Sequence, residues 1–139
     1  MTAKNRTKKH HSQKRKYKEI IVQTFLELLN QVKLYHWKTH DYAVHKATDE
    51  LYTKLDDDID KFIEVLLGKD GSRIPSKCTI TIYDDIENTP RFMKKMDNFK
   101  MFLMNMNHVF DTEKDSDLLN IRDEILGHVN QFLYLLTLR

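Results

Sequence analysis

Residues 44–68 read VHKATDELYTKLDDDIDKFIEVLLG, and the spacing within them decides the fold. Leu51, Leu55, Ile59, Phe62 and Leu66 recur every three or four residues, which places them on one face of an amphipathic helix. Gly68, followed by Lys69-Asp70-Gly71, is a stop signal, so the spacing predicts a helix over roughly 44–68. Upstream, Ile20, Ile21, Phe25, Leu28, Leu29, Val32 and Tyr35 repeat with the same period and predict a first helix from Tyr17 to Trp37. His40-Asp41-Tyr42 breaks the pattern between the two. Thr89-Pro90 is a helix start, opening a third helix to Phe110 with Phe92, Met96, Phe99, Leu103, Met106 and Phe110 inward. Asp115 or Ser116 caps a fourth helix through Leu138, built on Leu118, Ile121, Ile125, Val129, Phe132 and Leu136. Residues 72–88 carry no such period. Thr79-Ile80-Thr81-Ile82-Tyr83 favours extended backbone but cannot form a sheet alone, so the stretch reads as a long connection.

Four helices with a long link between the second and third describe an all-α four-helix bundle, in which the link lets helices two and three run parallel. Composition agrees. Only 3 Gly and 2 Pro occur in 139 residues, too few for the many tight turns of a sandwich, barrel or propeller. One Cys excludes a disulfide framework and any multi-Cys metal site, and suits a reducing compartment. No apolar run reaches the roughly 20 residues of a membrane span, and no signal-peptide core follows the basic start. An intracellular protein without a membrane partner is expected.

The net charge of +2 conceals an asymmetry. Residues 1–18 hold Lys4, Arg6, Lys8, Lys9, Lys14, Arg15, Lys16 and Lys18 without one acid, a charge of +8, and the other 121 residues carry −6. With no apolar period, this segment is expected to be a disordered basic arm ahead of a helical domain spanning 19–139. It has no aromatic before Tyr17 with which to read bases. Binding to phosphates without sequence preference is the expected behaviour.

A second pattern lies on helix two. His45, Asp49, Asp60 and Glu64 fall near about 0°, 40°, 60° and 100° of one stripe, with Asp56 among them and the apolar face centred near about 290°. Imidazole and carboxylates together suit iron, manganese or zinc. His45 and Glu64 are nevertheless about 28 Å apart along the axis, so no single ion touches both. The two pairs act separately or meet across a symmetric dimer, and His36 can add a ligand beside His45. The plainer alternative is a solvated acidic face with hydrogen-bonded histidines.

The segment from His36-Trp37 to Glu64 resembles the signature of the Dps-like mini-ferritins, with His36-Trp37 ending the first helix and His45, Asp49, Asp60 and Glu64 matching the intervals on the second. KLYHWKTHDYAVHKATDELY and DEILGHVNQFLYLL are also similar to small ferritin-like proteins of large eukaryotic DNA viruses. The resemblance implies a ferritin-like fold, a homo-oligomer (a dimer or a larger shell) and iron oxidised at sites between two-fold related subunits. His36, His45 and Asp49 would come from one subunit, Asp60 and Glu64 from the other. It also implies DNA binding by the lysine-rich arm, and a setting in a virion or in host cytoplasm or nucleus. Two departures stand out: the link from His36 to His45 is three residues shorter than in the mini-ferritins, and their helical segment between helices two and three is replaced by 72–88.

Other candidates read as structure. Trp37 is expected to be a half-buried anchor, His128 a core-edge residue rather than a ligand with Glu124, Met93, Met96, Met101, Met104 and Met106 filler, and Cys78 without a role. Two functions therefore compete. One is a Dps-like iron-binding ferroxidase with a nucleic-acid-binding arm. The other is a non-enzymatic packaging or virion-associated protein on the same scaffold, its metal site vestigial.

Overall fold

The computed structural model describes residues 3–74, 77–83 and 89–138. Among these the fold is all-helical: α1 (Ala3–Lys38), α2 (Tyr42–Asp70), α3 (Thr89–Asn105), a short 3₁₀ turn (Met106–His108) and α4 (Ser116–Leu135). The expected inward positions of α2 and α4 are all buried, as are Phe92, Met96, Leu103 and Met106. Phe99 and Phe110 pack against that core while partly exposed. Ile20, expected inward on α1, is 39% exposed, because Ile21 takes the core position beside it.

Ring contacts and polar links give the helix directions. Going along α1, Lys18 meets Asp70, Phe25 meets Phe62 and His36 meets His45, so α2 runs back along α1. Tyr35 stacks on Phe92 at 3.9 Å, Phe25 faces Phe102 and Tyr17 faces Phe110, so α3 is also antiparallel to α1. Lys69 pairs with Asp117 and Asp58 with His128, which sets α4 antiparallel to α2. Helices α2 and α3 therefore point the same way, and the chain must return between them. The described part of the connection makes that return beside α1, held by side chains of that helix. Gln31, buried, donates from Nε2 to the Tyr83 carbonyl and accepts at Oε1 from the Tyr83 amide, both at 3.1 Å. Glu27 Oε1 accepts from the Thr81 amide at 3.1 Å.

Three expectations need correction. The basic segment is not a disordered arm, since α1 begins at Ala3 and runs through it. Residues 1–38 contain no Gly or Pro and are rich in Lys, Arg and Gln, which favour helix. The packed half of α1 has already met the cost of nucleation, and each added residue then gains a hydrogen bond. The boundary at 18/19 also moves, because Tyr17 packs edge-on to Phe110 and Lys18 is buried. Finally, α2 passes through Gly68 and ends at Gly71, whose left-handed backbone (φ 67°) sends its amide to the Leu67 carbonyl.

Candidate functional site

The short turn 39–41 brings the end of α1 against the start of α2. Asp41 caps α2, its Oδ1 accepting from the amides of Ala43 and Val44 at 2.8 and 3.2 Å. That cap fixes His45 against His36. Their rings stack 3.8 Å apart with planes 20° from parallel. Each ring donates to the other residue's backbone: His36 Nδ1–H to the His45 carbonyl at 2.9 Å, and His45 Nδ1–H to the His36 carbonyl at 3.0 Å. A carbonyl only accepts, so both imidazoles carry a proton on Nδ1, and Nε2 is the ring nitrogen left for any ligand. Thr48, fully buried, donates to the Val44 carbonyl at 2.8 Å and stands 3.1 Å from His36 Nδ1.

Ligand histidines commonly have one nitrogen tied to the backbone and the other free. The stack nevertheless limits what the pair can do. Nitrogen lone pairs lie in the ring plane, and two nearly parallel rings with centroids 3.8 Å apart do not aim theirs at one point within a bond length of about 2.1 Å. In this arrangement one ion can take one of the two nitrogens, not both. Asp49, Asp56, Asp60 and Glu64 are exposed along α2. Among the described residues, no three His, Cys, Asp or Glu side chains come together to hold a metal. Asp56 and Asp60 border a shallow groove between α1 and α2 lined by Val22, Leu26, Leu29 and Ile63.

The remaining candidates separate clearly. Trp37 is 71% exposed rather than a half-buried anchor, with the Lys33 ammonium 6.0 Å from its ring. Asp58, next to Asp56 and Asp57 in the sequence, does not sit on an open solvated face. It accepts from His128 Nδ1 at 2.8 Å and so ties α2 to α4. Its position near about 220° of α2, beside the apolar face, was the available signal. Glu124 is exposed, as are Met101, Met104 and Cys78. Arg122, which the spacing does not single out, is buried and bonds the Leu103 carbonyl and Asn107 at 2.8 Å each.

On α1 the cations Lys4, Arg6, Lys8, Lys9, Arg15 and Lys16 are exposed. Helix α1 includes Lys14, whose side chain lies outside the described set. Lys18 does not belong with the phosphate-binding set. It is 7% exposed, with its ammonium 2.8 Å from Asp70 and bonded to Ser72. Burial on its own would raise the Asp70 carboxyl, but hydrogen bonds from Lys18 and Ser72 and the nearby ammonium outweigh it and hold Asp70 at about 2.

Residues 36–136 match a family of unknown function, DUF5856. The chain belongs to this family. The matched region opens at His36 and takes in His45, the acidic stripe, Arg122 and His128, while the basic helix lies outside it. The chain is also similar to an uncharacterised 14.6 kDa protein of the mobD–ri intergenic region of Enterobacteria phage T4. The two are 31% identical over 118 residues, covering 82% of this chain and 86% of the phage protein. No solved structure matches. Among the described residues, no helix is long and apolar enough to cross a membrane.

Proposed function

We propose that this chain is a ferritin-like four-helix bundle, related to the Dps-like mini-ferritins, that assembles with further copies and carries nucleic acid on its basic helix. The observation that carries this reading is the start of α1: six described cations, all exposed, in a stretch without one acid, ahead of a body of charge −6. Such a segment attracts polyphosphate while the body repels it. The parallel α2 and α3, joined by a long connection, support the ferritin-like part. The apolar groove between α1 and α2 supports a homo-oligomer, and the uncharacterised phage relative supports a viral setting. The test is retardation of duplex DNA by the full chain at low salt, compared with a Lys4→Gln/Lys8→Gln/Arg15→Gln/Lys16→Gln variant. Retardation lost in the variant supports the reading, and equal retardation sinks it.

A second reading adds iron(II) as a substrate at a site shared by two copies. The backbone holds Nδ1 of each histidine, leaving Nε2 as its possible ligand atom, and this, with Asp49 one turn beyond His45, favours it. His45 or His36 would bind through that nitrogen, and Asp60 and Glu64 of a second copy would balance charge. The other ring stays in the stack and orients the binding one. Anaerobic iron(II) titration followed by peroxide tests this, with Asp60→Ala/Glu64→Ala as control. Saturable binding and fast oxidation, both lost in the control, establish the site. Oxidation no faster than in buffer leaves a scaffold whose work is done by α1.

A further inference from the structure

The form of the basic segment narrows its partner. As helix, residues 3–16 extend about 21 Å at 1.5 Å per residue. Five of their six exposed cations fall in two rows, and Arg6 lies about 70° beyond the second. Lys4, Lys8 and Arg15 lie within about 40° of one another, and Lys9 and Lys16 form a second row about 110° further round. Ala3 is the only apolar residue between positions 3 and 16, so there is no apolar face to lay on lipid. A single row would suit one flat anionic surface. Two rows suit a cleft with anions on both walls.

We infer that the helical start of α1 lies in the major groove of B-form duplex DNA, its two cation rows reaching phosphates on opposite walls. This rests on the nucleic-acid reading above and adds to it the kind of nucleic acid. The major groove of B-DNA, about 12 Å wide, admits an α-helix of about 10–12 Å diameter. The deep, narrow major groove of duplex RNA does not. A single strand offers no second wall. Among the described residues, Arg15 pairs with Glu19, exposed and one turn on, which competes only weakly. If the six described cations reach phosphates, the logarithm of affinity falls with that of salt at a slope of about −5.

The test is fluorescence anisotropy of the full chain on labelled 20-mer duplex DNA, duplex RNA of the same sequence and single-stranded DNA, across a salt series. Duplex DNA is expected to bind about tenfold or more tighter than either of the others, and to weaken by about 10³-fold between 50 and 200 mM salt. Gln13→Pro keeps every charge but breaks the helix between the two halves of each row. It should bring duplex DNA down to the affinity of duplex RNA, with RNA and single-strand binding unchanged. Gln13→Ala should behave as the parent, and an unaltered melting midpoint in both variants shows that the packed helices are intact. Equal binding of the three nucleic acids, or a Gln13→Pro protein that binds duplex DNA as the parent does, overturns the groove and leaves a flexible polycation. Failure to bind any of the three at 50 mM salt overturns the nucleic-acid reading itself.

Discussion

Replacing Arg122 with alanine removes a guanidinium that holds the end of α3 to α4. The side chain is 6% exposed, and its Nη1 donates to the Leu103 carbonyl at 2.8 Å in the last turn of α3. Its Nη2 donates to Asn107 Oδ1 at 2.8 Å, and its Nε to the exposed carboxylate of Asp123 at 2.7 Å. Hydrogen bonds from a charged donor contribute about 1.5–3 kcal/mol each. Leu103 is buried, so its carbonyl is expected near the middle of that range, about 2 kcal/mol. Asn107 is open to water that can replace the donor, which reduces its share to about 1 kcal/mol. The exposed Asp123 adds at most a few tenths of a kcal/mol, about what a surface pair is worth. The total is a loss of about 3 kcal/mol. With an unfolding entropy of about 2.1 cal/mol/K per residue over the chain, that lowers the melting midpoint by about 10 °C. Urea and thermal denaturation followed by circular dichroism measure both. Arg122→Lys should recover less than half, because an ammonium cannot reach both acceptors in the guanidinium's geometry. Asp123→Asn should change stability by under about 0.5 kcal/mol. An Arg122→Ala protein within 1 kcal/mol of the parent, at unchanged urea slope, would refute the reasoning.

Gly68 within α2 and Gly71 at its C-cap should respond to alanine with opposite signs. Gly68 lies inside the helix with open space where a Cβ would go, so Gly68→Ala should stabilise by about 0.5–1 kcal/mol. Gly71 has φ 67°, so Gly71→Ala should cost about 1 kcal/mol, both read as shifts in urea midpoint. Gln31→Ala frees the backbone of Tyr83, and amide exchange across 77–83 should speed up by about tenfold, the equivalent of about one neutral hydrogen bond. The paired Asp70 makes stability depend on acid. Its folded value of about 2 lies below the ordinary 3.8, so its contribution is full above that ordinary value and is lost as pH falls through about 2. Asp111, held down by the Lys114 and Glu113 amides, and Asp117, held down by Lys69, act in the same direction. Asp70→Asn should flatten the decline of the melting midpoint between pH 4 and pH 2, and an unchanged acid limb would contradict the pairing.

The core of α2 was readable because its face repeats at the helical period: Leu51, Leu55, Ile59, Phe62 and Leu66 have no other way to leave water together. The same holds for α4 from Leu118 to Phe132, and for the absence of a period across 72–74 and 77–83, the described part of the stretch 72–88. These features depend on neighbours three or four residues away, and a one-dimensional pattern carries that information. The candidate site was only half readable. The adjacency of His36 and His45 followed from a short link between two helices, but the stacking that ties each Nδ1 to the other's carbonyl did not. Ring orientation depends on the Asp41 cap and the buried Thr48 hydroxyl, which act through space.

Charge was misread for the same reason. Lys18 belongs to a run of cations in the sequence, yet it is buried because the end of α2 delivers Asp70 to it. Asp58 belongs to a run of acids, yet α4 delivers His128. The start of α1 is helical because a packed helix follows it, a condition that a local reading of a polar segment does not contain. Which residues turn inward on each helix is thus a local property of these 139 amino acids. Which polar groups become partners is decided only when the helices pack, because a hydrogen bond needs a donor and an acceptor at one place, whatever their separation along the chain.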